Sequence, residues 1–371
     1  MAFPTNPVSP TEILSNLPAK FDQALSSGQL FFFPSEAKDV YAGGHRFNLR
    51  CCPALQDKAR AKAEALEAVK RSGNGSPDPK RQKRDEDPEE HSKQNKEEPF
   101  KPPYVPELFV GALEGLEGER GMSVLYSLLP EHFLLCPPVH EPQSLPPTPA
   151  QLALAHNILL ASARHPTRPR RLIAFYNGGP GAGASQAWRH LQFVEVPGGR
   201  APIEEWVQGM SFDRPDRAVI HPTLPHLHIV HPLPSHAAMT WPPTSDSSSE
   251  LIDALAPAVM RLLDIAFDAN RRANIGSGGG WNLIMTLDHL HLIPRTAPSF
   301  QLPEPHEPLE LNSLGYAGMM LVRSGEEEQT LLEAVGEGGL MKVLEACGLP
   351  RTWGEQALEA EAKQQGMGEL A

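Results

Sequence analysis

The segment Arg171–Phe193, RLIAFYNGGPGAGASQAWRHLQF, constrains the fold more than any other part of the 371-residue chain. It begins with a short apolar run, Leu172–Tyr176, that is typical of a buried strand. This run breaks into a glycine-rich turn over residues 178–183, and a second strand-like run follows that carries His190 and Gln192. Side chains two residues apart on a strand point to the same face. The sequence therefore predicts a strand–turn–strand unit that presents an imidazole and an amide together.

The glycine turn favours a site for an anion. Glycines adopt positive φ and let backbone N–H groups converge on a phosphate without side-chain charge. The turn is not a Walker A loop, because no Gly-Lys-Ser/Thr follows, and it lacks the third glycine of a dinucleotide-binding motif. Taken alone, it indicates only a tight turn, and His190 alone indicates a core or surface histidine. Their combination with Ser185, Gln186 and Gln192 predicts catalysis on a phosphate.

Composition limits the class of protein. Apolar residues make up 40% of the chain, enough to bury a core, and the 39 prolines indicate many loops. A net charge of −12 argues against a large nucleic-acid-binding surface, but not against a nucleotide ligand. The four cysteines have no CxxC spacing and favour reduced thiols. No apolar run approaches 18 residues, and the N-terminus lacks a signal peptide pattern. We expect a soluble protein of the cytoplasm.

Helices and strands are predicted in a mixed order without a regular βαβ repeat, which indicates the α+β class. Predicted helices cover residues 11–27, 59–70, 148–164, 250–273 and 326–347. Predicted strands cover residues 30–33, 45–52, 122–135 (one or two strands), 281–295 (a hairpin) and 314–323.

Residues 71–101 differ sharply from their surroundings. They contain almost no apolar residues and many charges of both signs, so we expect a disordered insertion. A basic cluster, Lys80–Arg84, leaves open a nuclear import signal and thus a nuclear location as well. A solvated insertion loop is the favoured interpretation.

The motifs NGG at 177–179 and GASQAWRHLQF at 183–193 resemble the active-site segment of the fungal diadenosine 5′,5‴-tetraphosphate phosphorylases, also called ATP adenylyltransferases. This family belongs to the histidine-triad and galactose-1-phosphate uridylyltransferase (GalT) superfamily. Further segments occur in the family's order and extend the resemblance over most of the chain. They are FDQALSSGQLFFF, FNLRCCPALQDK, PPYVPELFVG, LPPTPAQL, TLPHLHIV, WNLIMTLDHLHLIPR and LNSLGYAGMMLVR.

The resemblance implies a histidine-triad-like (HIT-like), GalT-type antiparallel sheet core with flanking helices and a C-terminal ATP adenylyltransferase domain. Four segments follow from it. Residues 1–70 would be the N-terminal part of the catalytic domain and 71–101 the insertion. Residues 102–215 would be the HIT-like catalytic core, and 216–371 the C-terminal domain.

The activity implied is phosphorolysis of diadenosine tetraphosphate to ATP and ADP. His190 would attack the α-phosphate and form an adenylyl-histidine, and inorganic phosphate would then release ADP. A neutral imidazole is a competent nucleophile near pH 7. Gln192 would donate a hydrogen bond to the phosphoryl group without activating water. The turn and the amides near Ser185 and Gln186 would neutralise developing charge.

The same match assigns further nucleotide-binding residues. Asn177 would fix the turn or contact ribose or phosphate. The full set is Lys58, Asn177, Gly183, Ala184, Ser185, Gln186, Asn282, Thr286, Gly318 and Arg323, of which Lys58 and Arg323 would contact the polyphosphate. A divalent ion such as magnesium would accompany the nucleotide, without a dedicated protein site. The expected partners are small molecules, with no nucleic acid or membrane, and the expected state is a monomer.

One position departs from the family's His-x-His-x-Gln pattern, because Trp188 replaces the first histidine. An indole donates a hydrogen bond but accepts none. An active variant enzyme is the favoured interpretation. A nucleotide-binding regulatory protein that has lost catalysis remains an alternative, as does a hydrolase that passes the adenylyl group to water.

A histidine-rich run invites a metal interpretation, because His226 and His228 would share a strand face. Prolines interrupt the run, and no cysteine or carboxylate lies near it in sequence. We therefore expect a structural strand and no metal ligands there, and we expect His289 and His291 on the hairpin to be pocket or core residues rather than a second catalytic pair. The run comprises His221, His226, His228, His231 and His236.

Overall fold

The computed structural model describes residues 7–30, 32, 37–52, 100–101, 104–114, 120–125, 129–196, 198–212, 214, 216–276 and 279–368. Lys58, the predicted helix 59–70 and the basic cluster Lys80–Arg84 lie outside these residues. So does all of the predicted insertion except Phe100 and Lys101.

A nine-stranded antiparallel sheet organises the described chain, in the order β3-β4-β5-β7-β6-β10-β11-β9-β8. Its strands are β3 (Phe109–Glu114), β4 (Arg120–Leu125), β5 (Phe133–Cys136), β6 (Leu172–Gly178), β7 (Leu191–Glu195), β8 (Val219–Ile220), β9 (Ile229–Pro232), β10 (Trp281–Met285) and β11 (His289–Pro294). A three-stranded sheet and a short ladder complete the β-structure. They use β1 (Ala37–Ala42), β2 (His45–Cys51), β12 (Ser299–Phe300), β13 (Leu309–Glu310) and β14 (Met319–Val322).

The central strand β6 is buried along its whole length because both faces of the large sheet are covered. Leu172, Ala174 and Tyr176 pack into one apolar core, whereas Ile173 and Phe175 pack into another. This two-sided burial explains why the sequence of β6 is continuously apolar rather than alternating.

Helices cover the first face, where α2 contacts both α1 and α4, and α4 also contacts α8. The three-stranded sheet and several shorter helices lie against the second face. The helices are α1 (Pro10–Ser26), α2 (Pro149–Ala163), α3 (Pro202–Trp206), α4 (Ser245–Arg272), α5 (Ser313–Tyr316), α6 (Gly325–Val335), α7 (Met341–Cys347) and α8 (Arg351–Gly368). Within the described ranges, no helix is both long and apolar enough to span a lipid bilayer.

The mixture of helices with antiparallel strands confirms the predicted α+β class. Strand β2 and the hairpin β10–β11 form where predicted, and α1 begins after Ser9, whose side chain accepts a hydrogen bond from the backbone of Glu12. Two segments that are each predicted as one element form two elements in the structure. The strand at 314–323 becomes α5 followed by β14, and the helix at 326–347 becomes α6 and α7. Leu30 and Phe32 are not in a strand.

The predicted boundary between residues 215 and 216 does not coincide with a break in the sheet. Strand β6 pairs along its length with β10, from Trp281 opposite Gly178 to Met285 opposite Ala174. Strands from both sides of the boundary therefore share one hydrogen-bonded ladder.

Candidate active site

The predicted strand–turn–strand unit consists of β6, a turn over residues 179–190 and β7. Strands β6 and β7 pair antiparallel as far as Phe175 opposite Gln192, and His190 lies one residue before β7 begins. Gly178 and Gly280 let the turn lie close to the sheet. A Cβ on Gly178 would lie 2.3 Å from the Trp281 ring, and one on Gly280 would lie 2.6 Å from the backbone nitrogen of Ala182.

Most backbone N–H groups of the glycine turn already donate hydrogen bonds. Gly183 donates to the carbonyl of Pro180 at 3.1 Å, and Ala184 donates to that of Gly179 at 3.2 Å. The N–H groups of Gly179 and Ala182 are likewise bonded within the turn. The predicted phosphate cradle made from the amides of Gly183 and Ala184 is therefore absent, because internal bonds already hold these two donors.

Ser185 and Gln186 follow directly and differ from the turn. Within the described chain neither makes a hydrogen bond through its backbone or its side chain, and Ser185 is exposed. Their backbone N–H groups therefore have no partner in the described chain, unlike those of Gly183 and Ala184.

Gly183 has a packing role. Its φ is +83°, and a Cβ there would lie 2.9 Å from the carbonyl oxygen of Leu311 and 3.0 Å from Cβ of Asn312. The turn therefore abuts the residues that begin α5, and only glycine fits both the backbone conformation and the space.

His190 is 3% exposed and has a defined tautomer. Its Nδ1 lies 2.8 Å from the backbone carbonyl of Trp188, which can only accept, so Nδ1 carries the proton in the neutral ring. Nε2 makes no hydrogen bond with the described chain and keeps its lone pair. Burial lowers the pKa of His190, and the bond to Trp188 opposes that shift. The ring is therefore mostly neutral at pH 7, with Nε2 unprotonated.

The Trp188 side chain turns away from the nucleophile into an aromatic cluster. Its Nε1 donates to the carbonyl of Pro137 at 3.1 Å, and its ring meets those of Phe100 and His140 edge to face. Phe100 also contacts the His190 ring, with centroids 5.9 Å apart. The contact that orients His190 comes from the main chain at position 188, so it does not depend on which side chain is there.

Gln192 lies on β7 between Leu134 and Phe175 of the neighbouring strands and is 7% exposed. Its side chain interacts with His132, which is fully buried. Burial lowers the pKa of His132 to about 3 and His190 adds to the lowering, whereas the hydrogen bond with Gln192 raises it.

Asn177 and Asn282 face each other across β6 and β10 in a buried polar network. The side-chain oxygen of Asn177 accepts hydrogen bonds from Asn282 Nδ2 at 3.0 Å and from the N–H and hydroxyl of Ser313 at 3.0 and 2.7 Å. Asn282 also donates to the carbonyl of Ala182 at 3.0 Å. Asn177 is thus connected to the turn through Asn282, while its NH₂ group has no partner in the described part of the protein.

Arg295 holds this polar network in place through its contact with Asn282. It is fully buried and donates to Asn282 Oδ1 at 2.7 Å and to the carbonyls of Leu311 and Cys347 at 3.0 and 3.1 Å. No carboxylate pairs with it among the described residues, and its guanidinium lies 4.8 Å from the Tyr316 ring centroid. Asn282, predicted as a pocket residue, is therefore a buried link between Arg295 and Asn177.

Three other predicted site residues have structural contacts away from His190. Thr286 closes the β10–β11 turn by accepting the N–H of His289 at 3.0 Å, and it lies four residues, roughly 13 Å, along the strand from Asn282. A Cβ on Gly318, whose φ is +77°, would collide with Pro202 and Trp206. Arg323 pairs with Glu327 and Glu307. The structure does not bring these three to the nucleophile.

The histidine-rich run forms a buried cluster with the hairpin. His228 Nε2 and His291 Nδ1 lie 3.0 Å apart, and the His226 and His228 ring centroids are 5.6 Å apart. No group of three or more histidine, cysteine or acidic side chains in the described part is arranged to hold a metal ion. Burial lowers the pKa of His226 to about 3 and those of His228 and His291 well below the usual value, so the cluster is neutral.

Sequence reasoning missed the residue closest to the backbone of the nucleophile. Gln143 is 2% exposed, and its Oε1 accepts the N–H of His190 at 2.8 Å. It also missed Arg189, which is buried and paired with Glu141. Gln143 and Glu141 lie in a proline-rich segment for which no helix or strand is predicted, and no periodicity there marks either of them.

Two family models match the chain. The Ap4A phosphorylase N-terminal domain matches residues 76–208, and the ATP adenylyltransferase C-terminal domain matches residues 222–350. Together they cover more than two thirds of the chain. The first match begins inside the segment predicted as an insertion.

Curated and solved proteins agree with these matches. Diadenosine 5′,5‴-P1,P4-tetraphosphate phosphorylase 2 of Saccharomyces cerevisiae is 28% identical over 74% of this chain and 82% of its own length. Crystal structures of yeast Ap4A phosphorylase Apa2 in complex with AMP and with Ap4A superpose with TM-scores of 0.65 and 0.64. Each is 23% identical, and each covers 91% of this chain and 97% of its own. These superpositions support the fold.

Proposed function

Since the chain belongs to the Ap4A phosphorylase (ATP adenylyltransferase) family, we propose that it cleaves diadenosine tetraphosphate with inorganic phosphate to give ATP and ADP, through an adenylyl group carried on His190. The observation that carries the proposal is the tautomer of His190. Its Nδ1–H is bound to the Trp188 carbonyl at 2.8 Å, and Nε2 is left as an unprotonated nucleophile.

In the first step Nε2 of His190 forms a bond to the α-phosphorus of one adenosine. The bond from that phosphorus to the bridging oxygen breaks, and ATP leaves. The positive charge that develops on the ring is stabilised by the Trp188 carbonyl that accepts from Nδ1. In the second step an oxygen of inorganic phosphate attacks the same phosphorus, the N–P bond breaks, and ADP leaves with the neutral imidazole restored.

Neighbouring donors stabilise the charge that spreads over the phosphoryl oxygens. The candidate donors are the NH₂ groups of Asn177 and Gln192, on the two strands that flank the turn, and the amides of Ser185 and Gln186 within it. None of these groups is a base at neutral pH, so none activates water against the adenylyl-histidine. A divalent cation such as magnesium accompanies the polyphosphate and offsets its charge.

The test is product analysis of diadenosine tetraphosphate incubated with the protein, with and without phosphate. Phosphate-dependent ATP and ADP, abolished in His190→Ala and retained in His306→Ala, is the expected result. His306 is a suitable control because it is half-buried and its Nε2 lies 3.0 Å from the hydroxyl of Thr330 on α6, a helix that carries no predicted site residue. ATP and AMP would indicate hydrolysis, and bound nucleotide without turnover would indicate a regulatory protein. Either outcome would refute phosphorolysis.

A further inference from the structure

Strands β6 and β7 stop pairing before they reach His190, and the side chain of Gln143 lies between their backbones there. The register Phe175 opposite Gln192 places Asn177 opposite His190 two residues further along. A continued antiparallel ladder would join the carbonyl of Asn177 to the N–H of His190 directly. Instead the Gln143 side chain stands between them. Its Oε1 accepts from His190 N at 2.8 Å, and its Nε2 donates to Asn177 O at 2.9 Å.

The main chain at Gln143 is itself fixed. Its N–H donates to the carbonyl of Ala187 at 2.8 Å, and its carbonyl accepts from the Tyr176 hydroxyl at 2.7 Å. Pro142 forms an isolated antiparallel bridge with Trp188. Gln143 therefore binds β6 and the segment before β7 through both its backbone and its side chain.

On these contacts we propose that Gln143 is the positioning residue of the nucleophile, an inference that rests on the proposed function. Its carboxamide holds the two strands apart and satisfies both backbone groups that the interrupted ladder leaves unpaired, which fixes the main chain that carries the His190 ring. An amide combines an acceptor for His190 N–H with a donor for the Asn177 carbonyl and stays uncharged at every pH. The network of Asn177, Asn282 and Arg295 holds the other side of the gap.

Gln143→Met removes both hydrogen bonds at nearly constant volume. We expect kcat to fall on the order of a hundredfold, the effect of a small misplacement of a reacting group. KM should change less than about threefold, because Ser185 and Gln186 are untouched. Ser162→Ala is the control, since it removes a buried hydroxyl that donates to the Arg170 carbonyl at 2.9 Å and contacts nothing in the site. Its kcat should equal that of the parent protein.

Gln143→Glu tests the positioning role through a pH dependence of kcat that a purely structural residue would not show. A protonated carboxyl reproduces the acceptor and the donor of the amide, whereas a carboxylate cannot donate to Asn177. The ratio of kcat in this variant to kcat in the parent protein should therefore rise at least tenfold as the pH falls from 8 to 6. The charged and titratable groups around it are His190, Tyr176 and the Arg189–Glu141 pair.

Amide hydrogen exchange at His190 separates this inference from the proposed function, because it needs no turnover. Exchange should accelerate at least tenfold in Gln143→Met relative to the parent protein and Ser162→Ala. Unchanged exchange, a kcat within threefold of the parent in folded Gln143→Met, or a pH-independent ratio for Gln143→Glu would each overturn the role of Gln143. Absence of turnover in the parent protein, with exchange accelerated as expected, would refute only phosphorolysis.

Discussion

The Nδ1 atom of His190 is bound at 2.8 Å by the main-chain carbonyl of Trp188, while the indole of Trp188 points into an aromatic cluster. The backbone and the side chain of residue 188 thus make separate contacts with different roles. The carbonyl sets the tautomer of the nucleophile, and the ring packs with Phe100, Leu134 and Cys136. The loss of the first histidine of the family pattern therefore leaves the orienting contact intact.

Replacing Trp188 should affect stability more than chemistry. We expect Trp188→Phe to lower the free energy of unfolding by about 1–3 kcal/mol, because it leaves space in a packed cluster and the Pro137 carbonyl unpaired. Its kcat should stay within about threefold of the parent value, and so should that of Trp188→His. Urea denaturation and steady-state kinetics measure the two effects. A hundredfold loss of kcat in folded Trp188→Phe would show that the indole acts in catalysis.

The rate of adenylylation should not be reduced by protonation of His190 until the pH falls below the ordinary histidine pKa. Burial lowers the pKa of His190 below its ordinary value near 6.5, so the reactive neutral ring persists through that pH as acid is added. ATP release in a single turnover without phosphate isolates this step from the titration of phosphate itself. The rate should decline only below pH 6.5. An inflection above that pH would contradict a desolvated nucleophile.

The buried histidine cluster should make the protein sensitive to acid. His226 has a folded-state pKa of about 3, below its unfolded value, so the unfolded chain binds the extra proton as the pH falls from about 6.5 toward 3. Stability is therefore lost as the pH falls, by about 1 kcal/mol per pH unit for each excluded proton. His228 and His291 add to the effect.

The matched variant for this effect is His226→Phe. Both ring nitrogens of His226 lack a hydrogen-bond partner in the described part, and its ring already packs against Tyr316 at 5.0 Å. Urea denaturation between pH 7.5 and 5 should show a smaller loss of stability in the variant than in the parent protein. Equal slopes would mean that His226 is protonated in the folded state.

Gly183→Ala should damage the turn beyond the cost of its backbone conformation. A positive φ costs alanine roughly 1–2 kcal/mol, and a further cost arises because Cβ would lie 2.9 Å from the Leu311 carbonyl oxygen. Gly198→Ala is the control, since its φ is +80° and nothing lies within 4 Å. The variant at 183 should lose more stability than the variant at 198 and should also lose activity. Equal effects at both positions would exclude a packing role for Gly183.

Sequence reasoning succeeded where the signal was local. Strand β6, the turn and β7 follow from an apolar run, closely spaced glycines and a second strand-like run, and the hairpin β10–β11 lies within the predicted hairpin at 281–295. Helix α4 begins five residues earlier than predicted, because Thr244 accepts a hydrogen bond from the backbone of Ser247 and starts the helix in a serine-rich stretch that has weak helix propensity.

It failed where function depends on contacts between distant segments. The partners of Gln143 lie 34 and 47 residues away along the chain, and those of Arg295 include backbone carbonyls 16 and 52 residues away. Neither residue has a local pattern that distinguishes it from a surface side chain. The glycine turn shows the opposite error. Its composition suggested free backbone N–H groups, but in the folded turn most of these groups already donate hydrogen bonds.

The pairing of β6 with β10 has a consequence for how the two family segments can exist. Each of these strands lies in the middle of the nine-stranded sheet, so separating the segments would leave two long apolar strands with unpaired edges. Such edges recruit other strands and aggregate. The two segments should therefore fold only as a unit and melt in a single cooperative transition, and evolution cannot exchange one of them without supplying a partner strand for the other.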